Sequence, residues 1–268
     1  MAGTAHAGSP PAAGAKHAAR GERAIRSVSP PLRPMPGSGM GSRLVVGQGS
    51  GLDALDPFLA LMHDDVPPSI MFPMHEHRGV EIVTYALDGA LRHEDSLGNV
   101  GTVVAGGVER NLFGRGYLHS EAPVGGGPYR GLQLFILLSP ADRLREPSFQ
   151  LLAPHEVPEV AGDGSRIRVI AGANGGQRSP LALRNPTLYL DVSLAPGAGA
   201  ALPVPPDYQG LAYVLSGAGQ FGSPAATAAA HQRLVLGAGE TLLVAAAASG
   251  AAHLRFVLIA GRPIYGGG

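Results

Sequence analysis

The stretch Phe72-Pro-Met-His-Glu-His-Arg-Gly79 carries two histidines, His75 and His77, that are separated by one residue. Residues i and i+2 of a β-strand point to the same face, so on a strand both imidazoles can approach one metal ion. The next segment, Glu81–Leu87 (EIVTYAL), is rich in β-branched and aromatic residues, which favour strands. This part of the chain therefore predicts a β-fold with a candidate metal site.

A second pair with ligand chemistry, His119 and Glu121, lies downstream with the same spacing. If the intervening strands form a meander, the two pairs face each other across a barrel interior. Three imidazole nitrogens and one carboxylate oxygen suit Fe(II), Mn(II), Co(II), Ni(II), Cu(II) or Zn(II), and they suit Ca²⁺ or Mg²⁺ poorly. A lone H-x-H pair is a weak signal, and the second pair strengthens it. A six-coordinate ion would keep two positions open for water, dioxygen or substrate.

Short β-like segments continue along the chain and are separated by glycine-containing turns. Gly89, Gly98, Gly107 and Gly116 recur at a spacing of nine residues. Short strands broken by turns every 8–12 residues or so are typical of an antiparallel barrel or sandwich. No alternating strand–helix pattern is present, so the predicted fold class is all-β.

An internal repeat indicates that the barrel is duplicated. Tyr85–Ala90 (YALDGA) is echoed by Tyr213–Ala218 (YVLSGA), and Val104–Gly107 (VAGG) by Leu236–Gly239 (LGAG), at offsets of 128 and 132 residues. Two matches in the same order at nearly the same offset favour duplication over chance. With these offsets the four candidate ligands project onto three residues without donor side chains and one histidine: Pro203, Pro205, Ala251 and His253. The second barrel is therefore expected to lack a metal site.

Composition limits the function classes that remain. The 20 basic and 20 acidic residues give a formal net charge of zero, so we expect no direct nucleic-acid binding. Because cysteine is absent, disulfides, thiolate metal sites and cysteine nucleophiles are excluded, and a cytoplasmic location is favoured. No apolar run approaches the roughly 20 residues of a membrane helix, and the N-terminal segment lacks the apolar region of a secretory signal.

The chain divides into four segments by composition and pattern. Residues 1–24 are dominated by Ala, Gly and Pro and predict a disordered tail. We expect an N-terminal metal-binding domain over residues 25–140 and a linker, rich in proline and charge, over residues 141–160. A C-terminal domain without a metal site is expected over residues 161–268.

Several motifs resemble those of the pirin family. Phe72–Tyr85 resembles the pirin signature around its first two metal histidines, and His93–Asn99 (HEDSLGN) resembles the turn that follows. Gly114–Pro123 (GRGYLHSEAP) resembles the segment with the third histidine and the glutamate. The match continues more weakly through Pro186–Val192 and Leu258–Pro263, so that the resemblance covers about residues 43–263.

The resemblance implies a bicupin, with two antiparallel β-barrel or jelly-roll (cupin) domains in tandem and one iron in the N-terminal barrel. It carries His75, His77, His119 and Glu121 over as metal ligands and suggests Glu121 as a catalytic base. Fe(II) is the expected cofactor, and Mn, Co, Ni, Cu or Zn are the alternatives. We expect a monomer.

The resemblance also implies two kinds of function, and the sequence leaves them open. One is a quercetin 2,3-dioxygenase-type reaction on a flavonol, a small aromatic substrate. The other is a metal-dependent or redox-sensitive regulator of a metabolic enzyme or of transcription, which binds a protein partner without turnover.

The chain departs from the family pattern at three places. Glu76 stands where relatives have a proline, and Val108–Leu112 (VERNL) replaces an aromatic-containing stretch. The chain ends soon after Pro263, where relatives continue. These departures affect the expected pocket wall and substrate choice more than the ligands. Glu81 and His93 are interpreted as supporting or hydrogen-bonding residues and not as ligands.

Overall fold

The computed structural model describes residues 21–249 and 252–266, so residues 1–20 of the predicted tail lie outside the described residues. Residues 21–24 of that tail are described, and Arg23 is buried with its guanidinium bonded to the carbonyl oxygens of Tyr208 and Gly237. In the N-terminal half, the residues with strong β-propensity form eleven strands: β1 (Ile25–Val28), β2 (Arg43–Val46), β3 (Phe58–Val66), β4 (Phe72–His77), β5 (Val80–Asp88), β6 (Ala90–Asp95), β7 (Val100–Val104), β8 (Val108–Leu112), β9 (Tyr117–Pro123), β10 (Tyr129–Leu137) and β11 (Ser148–Leu152).

The C-terminal half follows a short 3₁₀ helix at Pro154–Glu156. It contains twelve strands: β12 (Glu159–Gly162), β13 (Ser165–Ala171), β14 (Ala173–Asn174), β15 (Gln177–Arg178), β16 (Thr187–Leu194), β17 (Gly199–Pro203), β18 (Gln209–Ser216), β19 (Ala218–Phe221), β20 (Ala226–Ala229), β21 (Arg233–Leu236), β22 (Thr241–Ala246) and β23 (Leu254–Gly261). None of the described residues forms a helix long and apolar enough to span a membrane.

The two halves repeat one strand order. The N-terminal half has a large sheet, β11-β8-β5-β10-β3-β2, and a small sheet, β4-β9-β6-β7. The C-terminal half has a large sheet, β1-β21-β18-β23-β16-β13-β12, and a small sheet, β17-β22-β19-β20. Strand neighbours in these four sheets, and in the two-stranded sheet β14-β15, are antiparallel, which confirms the predicted all-β fold. The repeated strand order confirms the predicted duplication.

The edge strands of the large sheets cross the boundaries expected from composition. Ile25–Val28 was expected in the first domain, yet it pairs with β21 in the large C-terminal sheet. Ser148–Leu152 lies in the expected linker, yet it pairs with β8 in the large N-terminal sheet. In both cases the pairing covers backbone groups at a sheet edge that would otherwise be exposed.

The two large sheets pack face to face, and the side chains between them form one apolar cluster. Tyr85 and Leu132 of the N-terminal half and Tyr189 and Tyr213 of the C-terminal half belong to it. Alternate residues of β10 therefore have different surroundings: Leu132 and its i+2 neighbours point into this layer, while Gln133 points into the N-terminal barrel.

Candidate metal centre

Three of the four predicted ligands converge at one edge of the N-terminal barrel. β4 and β9 are neighbours, and their register places His75 opposite His119, with His77 two residues further along β4. The Nε2 atom of His75 lies 3.0 Å from Nε2 of His77 and 3.1 Å from Nε2 of His119. Two nitrogens that bind one ion at about 2.1 Å and at a right angle lie about 3 Å apart. The three imidazoles therefore fit three coordination positions of one six-coordinate transition-metal ion.

Hydrogen bonding and burial set the protonation of these rings. Nδ1 of His75 lies 2.8 Å from the carbonyl oxygen of Pro73, which can only accept, so Nδ1 carries the proton and Nε2 keeps its lone pair. Burial, followed by the charge of His75, lowers the pKa of His77 to about 4. Burial and the neighbouring histidines lower the pKa of His119 to about 3. Both are then neutral near pH 7, which is the form that binds a metal ion.

Glu121 lies on the same face of β9 as His119 but belongs to a second group. The first group is His75, His77 and His119, and the second is His93, His119 and Glu121. In each group the donor atoms lie within 4.8 Å of one another. Both carboxylate oxygens accept hydrogen bonds from Nε2 of Gln133, at 3.0 and 2.9 Å. Burial, and next the negative charge of Glu109, raise the pKa of Glu121 to about 8. A divalent ion beside it would supply the positive charge that this buried carboxyl group lacks, so the donor set fits a metal.

Sequence reasoning interpreted His93 as a hydrogen-bonding residue but missed its position beside Glu121. His93 is fully buried on β6, opposite Glu121, and its ring stacks on Phe149 with centroids 4.9 Å apart. Nε2 lies 3.4 Å from Oδ2 of Asp95, and Nδ1 lies 3.1 Å from Oε1 of Glu109 at an angle outside hydrogen-bond geometry. Burial lowers the pKa of His93, but these carboxylates outweigh burial and raise it. The i, i+2 spacing of His93 and Asp95 was the available signal.

β8 contains the VERNL departure, and it is buried along its whole length. Asn111 donates to the Glu109 carboxylate at 2.7 Å and accepts from the Tyr117 hydroxyl at 2.7 Å. Arg110 alternates to the opposite face and donates from Nε to Oε1 of Glu81 at 2.6 Å. Bonded polar groups therefore line this wall of the barrel, where the family pattern predicts an aromatic-containing stretch.

Glu81 does not reach the histidines. The strand with His77 ends at that residue, and β5 begins at Val80 in the other sheet, so the i+4 spacing does not place the two residues on one face. The Glu81 carboxylate accepts from Arg110 and from the backbone N–H of Arg184 at 2.9 Å. Its interpretation as a supporting residue agrees with these contacts.

Aromatic rings surround the histidine cluster on its inner side. The ring centroids of Phe113 and Phe135 lie 4.9 and 5.7 Å from that of His77, both edge to face. Phe113 also stacks on Tyr117 at 4.3 Å. The side of the cluster with His75 and His77 is half-buried, so it is open to solvent while the inner wall is apolar.

Comparisons with known proteins identify the family. The pirin family model matches residues 42–136, and the model of the pirin C-terminal cupin domain matches residues 189–266. The chain belongs to the pirin family. A pirin-like protein from Solanum lycopersicum is 43% identical over 72% of this chain and 67% of its own length. The chain thus spans about two thirds of the length of this relative.

Solved structures show the same bicupin architecture as this pirin. A crystal structure from Geobacillus kaustophilus has a TM-score of 0.83 and 31% identity, with 93% of this chain and 100% of that chain covered. A quercetin 2,3-dioxygenase from Acinetobacter baumannii has a TM-score of 0.79 and 24% identity, with 92% and 90% covered. A bacterial pirin from Escherichia coli in complex with nickel(II) has a TM-score of 0.67 and 18% identity, with 88% and 99% covered. The last two likenesses establish the fold alone.

Strand register locates the counterparts of the site in the second barrel of this pirin. His93 and Phe221 each lie four residues after the glycine of the repeated turn, on β6 and β19. His93 pairs with Glu121, and Phe221 pairs with Val244, so Val244 is the counterpart of Glu121.

The histidines have apolar counterparts too. Two residues before Val244 lies Leu242, which corresponds to His119, and Leu242 pairs with Leu202 as His119 pairs with His75. The positions projected from sequence offsets were wrong. The offset of 132 came from matching Gly107, which precedes β8, with Gly239, which follows β21, although β21 is the counterpart of β8. The offset of 128 ignored a difference in loop length before β18. Pro203 is exposed and pairs with Thr241, outside the interior row. Of the other projected positions, Pro205 lies outside strand β17, Ala251 lies outside the described residues, and His253 lies before β23.

Proposed function

We propose that this chain is a mononuclear, Fe(II)-dependent dioxygenase that opens a flavonol of the quercetin type. The observation that carries the proposal is the convergence of three Nε2 atoms at 3.0 and 3.1 Å on the barrel face that also carries Glu121. The substrate class is supported by the likeness to the Acinetobacter baumannii quercetin 2,3-dioxygenase.

The residues that would hold the ion are His75, His77, His119 and Glu121. A bound Fe(II) would supply Lewis acidity toward a substrate hydroxyl and an electron path to dioxygen. The half-buried His75 and His77 place this set at the open edge of the barrel, where a small molecule has access.

Glu121 accepts the proton of the substrate hydroxyl in this proposal. Of the four side chains that would hold the ion, the Glu121 carboxylate is the one that can accept a proton there. Gln133 donates to both of its oxygens and so fixes the orientation of the carboxylate. Phe113 and Phe135 provide an apolar wall that suits a planar aromatic ring and excludes water.

The test is an aerobic assay with quercetin and Fe(II)-loaded protein, in which the loss of flavonol absorbance is followed. We expect catalytic loss with the wild type, none with His119→Ala, and wild-type rates with His155→Ala, a variant of an exposed histidine in the 3₁₀ helix. Unchanged quercetin in the presence of fully loaded protein would rule out this substrate class.

A second function is favoured by the surface around the same site. Met74 and Leu118 are sequence neighbours of His75 and His119, and they expose 50% and 42% of their surface. Met71 at the start of this segment exposes 62%. Exposed apolar side chains beside a metal edge suit a protein partner, as in a metal-dependent or redox-sensitive regulator without turnover.

The two functions separate in one experiment. A regulator should bind one stoichiometric partner only when it is metal-loaded, and Met74→Glu should weaken that binding while leaving the metal content unchanged. Binding of the same partner by a His75→Ala variant would contradict metal gating. A quercetin activity that Met74→Glu leaves intact would favour the enzyme.

A further inference from the structure

A second candidate site lies between the two barrels, away from the metal centre. A cleft of about 380 Å³ is lined by basic and imidazole side chains from both halves and by two carboxylates: Arg43, His63, Arg130, His231, Arg255, Asp65 and Asp88. We refer to it as the interdomain cleft. Its volume corresponds to the liquid volume of roughly a dozen water molecules, which suits a small metabolite. Clefts between domains are common places for small-ligand sites.

The interdomain cleft and the metal centre lie on opposite faces of strand β10. Arg130 lies on the same face as Leu132, which packs between the large sheets, while Gln133 points into the metal-binding barrel. Ligands of the two sites would therefore lie on opposite sides of one sheet. Substitutions on the interdomain face can leave the metal ligands untouched.

Arg43 brings a positive charge that lacks a carboxylate partner among the described residues. Its Nε and Nη1 donate to the backbone carbonyls of Leu32 and Gly41, both at 3.2 Å. Carbonyl dipoles fix the side chain but do not neutralise it. A guanidinium held in this way is oriented for an anionic ligand, since its remaining N–H groups keep their full charge assistance.

Arg130 and Arg255 complete the cationic side chains of the cleft. Arg130 forms two ion pairs, at 3.6 Å from Asp65 and 3.7 Å from Asp88, both too long for a hydrogen bond, so its N–H groups are not taken up by these two carboxylates of the cleft. Arg255 donates through Nε and Nη2 to Asp191, at 3.1 and 2.7 Å. Arg43 is therefore the cation without a carboxylate partner among the described residues, and Arg130 can donate hydrogen bonds to a ligand beside its two long ion pairs.

Two histidines, one from each half, supply further donor capacity. The Tyr213 hydroxyl lies 3.0 Å from Nδ1 of His63 and 3.5 Å from Nδ1 of His231. The hydroxyl has one proton, so when it is hydrogen-bonded to both rings it donates to one of them and accepts from the other. The ring that accepts carries its own proton on Nε2 and offers an N–H group to a ligand. Burial, then His231 and the two arginines, lower the pKa of His63 to about 4, so this donor is neutral.

The backbone at His231 is held in an unfavourable conformation. Its φ of 66° is the one left-handed value at a non-glycine residue within the described part of the chain. Such a conformation costs free energy and recurs at ligand clamps, where the surrounding structure maintains it. At His231 it holds the ring against Tyr213 at the border of the two halves.

We propose that the interdomain cleft binds a small organic anion through a carboxylate or phosphate group. Arg43 and Arg130 hold the anionic oxygens, and a histidine N–H from the His63–Tyr213–His231 chain donates to the same group. Both halves of the chain contribute, so the ligand also ties the two barrels together. The site does not depend on the metal centre or on the function proposed for it.

Calorimetric titration with inorganic phosphate and, separately, with succinate tests this site. We expect saturable one-to-one binding of one of them. Arg43→Gln and Arg130→Gln should each weaken it by about tenfold, the effect of one hydrogen bond to a charged group. Arg92→Gln is the matched control, because Arg92 is an exposed arginine that pairs with Glu94 in the small sheet. Phosphate binding alone assigns a phosphate ester, and succinate binding alone assigns a carboxylate.

The location of the binding is checked by NMR of the histidine rings. The ring nitrogens of His63 and His231 should shift on titration, and His75→Ala should bind the anion as the wild type does. Binding that Arg43→Gln and Arg130→Gln leave unchanged, binding that is lost with the metal in His75→Ala, or no binding of either anion would overturn the proposal.

Discussion

The two barrels share a strand order but are filled in different ways. In the C-terminal barrel, Leu242 and Val244 belong to an apolar cluster that runs through the interior from one sheet to the other. The same places in the N-terminal barrel hold His119 and Glu121, and the apolar side chains there form two smaller, separate clusters. One copy has a continuous apolar core, whereas the other has donor atoms at the corresponding positions.

This difference has an energetic consequence. A fully buried aliphatic side chain stabilises a fold by about 1.5–3 kcal/mol, whereas a buried polar group costs free energy unless it is bonded. The N-terminal barrel bonds several of its polar groups, as in the contacts of Glu121 with Gln133 and of Glu109 with Asn111. The apolar layer between the large sheets then couples this barrel to its better-filled twin.

The largest expected effect on metal binding is that of a substitution at His119. We expect His119→Ala to weaken metal binding at least about a hundredfold, because loss of a ligand should exceed the effect of losing a residue that only supports one. Elemental analysis after gel filtration and competition with a chelator measure this. The fold should survive, as judged by circular dichroism, and His155→Ala should retain the metal. Full metal content in His119→Ala would remove this residue from the site.

The mirror substitution in the second barrel should have the opposite pattern. Leu242→Ala opens a cavity in a continuous apolar core, and we expect it to lower the free energy of unfolding by about 2–5 kcal/mol. Metal content should stay at the wild-type level, because Leu242 is the apolar counterpart of the proposed ligand His119 and has no donor atom. Urea denaturation and elemental analysis of the same sample measure both. A loss of stability below about 1 kcal/mol would show that this core is not closely packed at Leu242.

Gln133 of the first barrel can be replaced by leucine, the residue at the corresponding position of the second barrel. Gln133 pairs with Thr84, and its counterpart Leu258 pairs with Ala212, which lies one repeat later than Thr84. Gln133→Leu therefore places the residue of the second barrel in the first and removes both hydrogen bonds to Glu121. We expect metal affinity to fall about ten- to a hundredfold.

Chelator competition measures the effect of Gln133→Leu. Gln177→Leu, at an exposed glutamine of β15, is the control and should bind metal as the wild type does. An unchanged affinity in Gln133→Leu would mean that Glu121 is oriented by other groups.

Much of the fold was readable from local pattern. The β-rich segments and glycine turns predicted short antiparallel strands, and the YALDGA and YVLSGA repeats predicted the duplication that the sheet order confirms. The edge strands were not readable. Ile25–Val28 is too short to show which sheet it joins, because its pairing with β21 depends on a contact across more than half the chain.

Part of the site was readable for the same local reason. The i, i+2 spacing of His75 and His77 survives in the structure because a strand enforces it. The place of His93 depends on a tertiary register, since it is the pairing of β6 with β9 that brings it opposite Glu121. The counterparts of the candidate ligands were displaced because the match of VAGG with LGAG joined residues before β8 to residues at the end of its counterpart β21. A fixed offset also ignores differences in loop length. Strand pairing restores the alignment at Leu242.

The smallest expected effect is a pH-dependent change in stability at the contact between the two barrels. His63 of the N-terminal half is buried against Tyr213 of the other half, and its pKa is lowered to about 4 from the ordinary value of 6.5. Between these two pH values the unfolded chain binds more protons than the folded one. The stability that neutral His63 contributes is therefore fully present above pH 6.5 and is lost as the pH falls toward 4. With about 1.4 kcal/mol for each pKa unit, reduced for solvent screening, the loss between pH 7 and pH 5 is about 1–2 kcal/mol.

Urea denaturation at pH 7 and pH 5, in buffers without phosphate or carboxylates, measures this loss. His63→Gln keeps a side chain that can bond to the Tyr213 hydroxyl but does not titrate, so it should lose about 1–2 kcal/mol less than the wild type over this range. His155→Gln, at an exposed position, should follow the wild type. The metal-site histidines contribute with the same sign to all three proteins, and their effect cancels in the comparison. If His63→Gln loses as much stability as the wild type, the neutral His63 is not part of what holds the two barrels together.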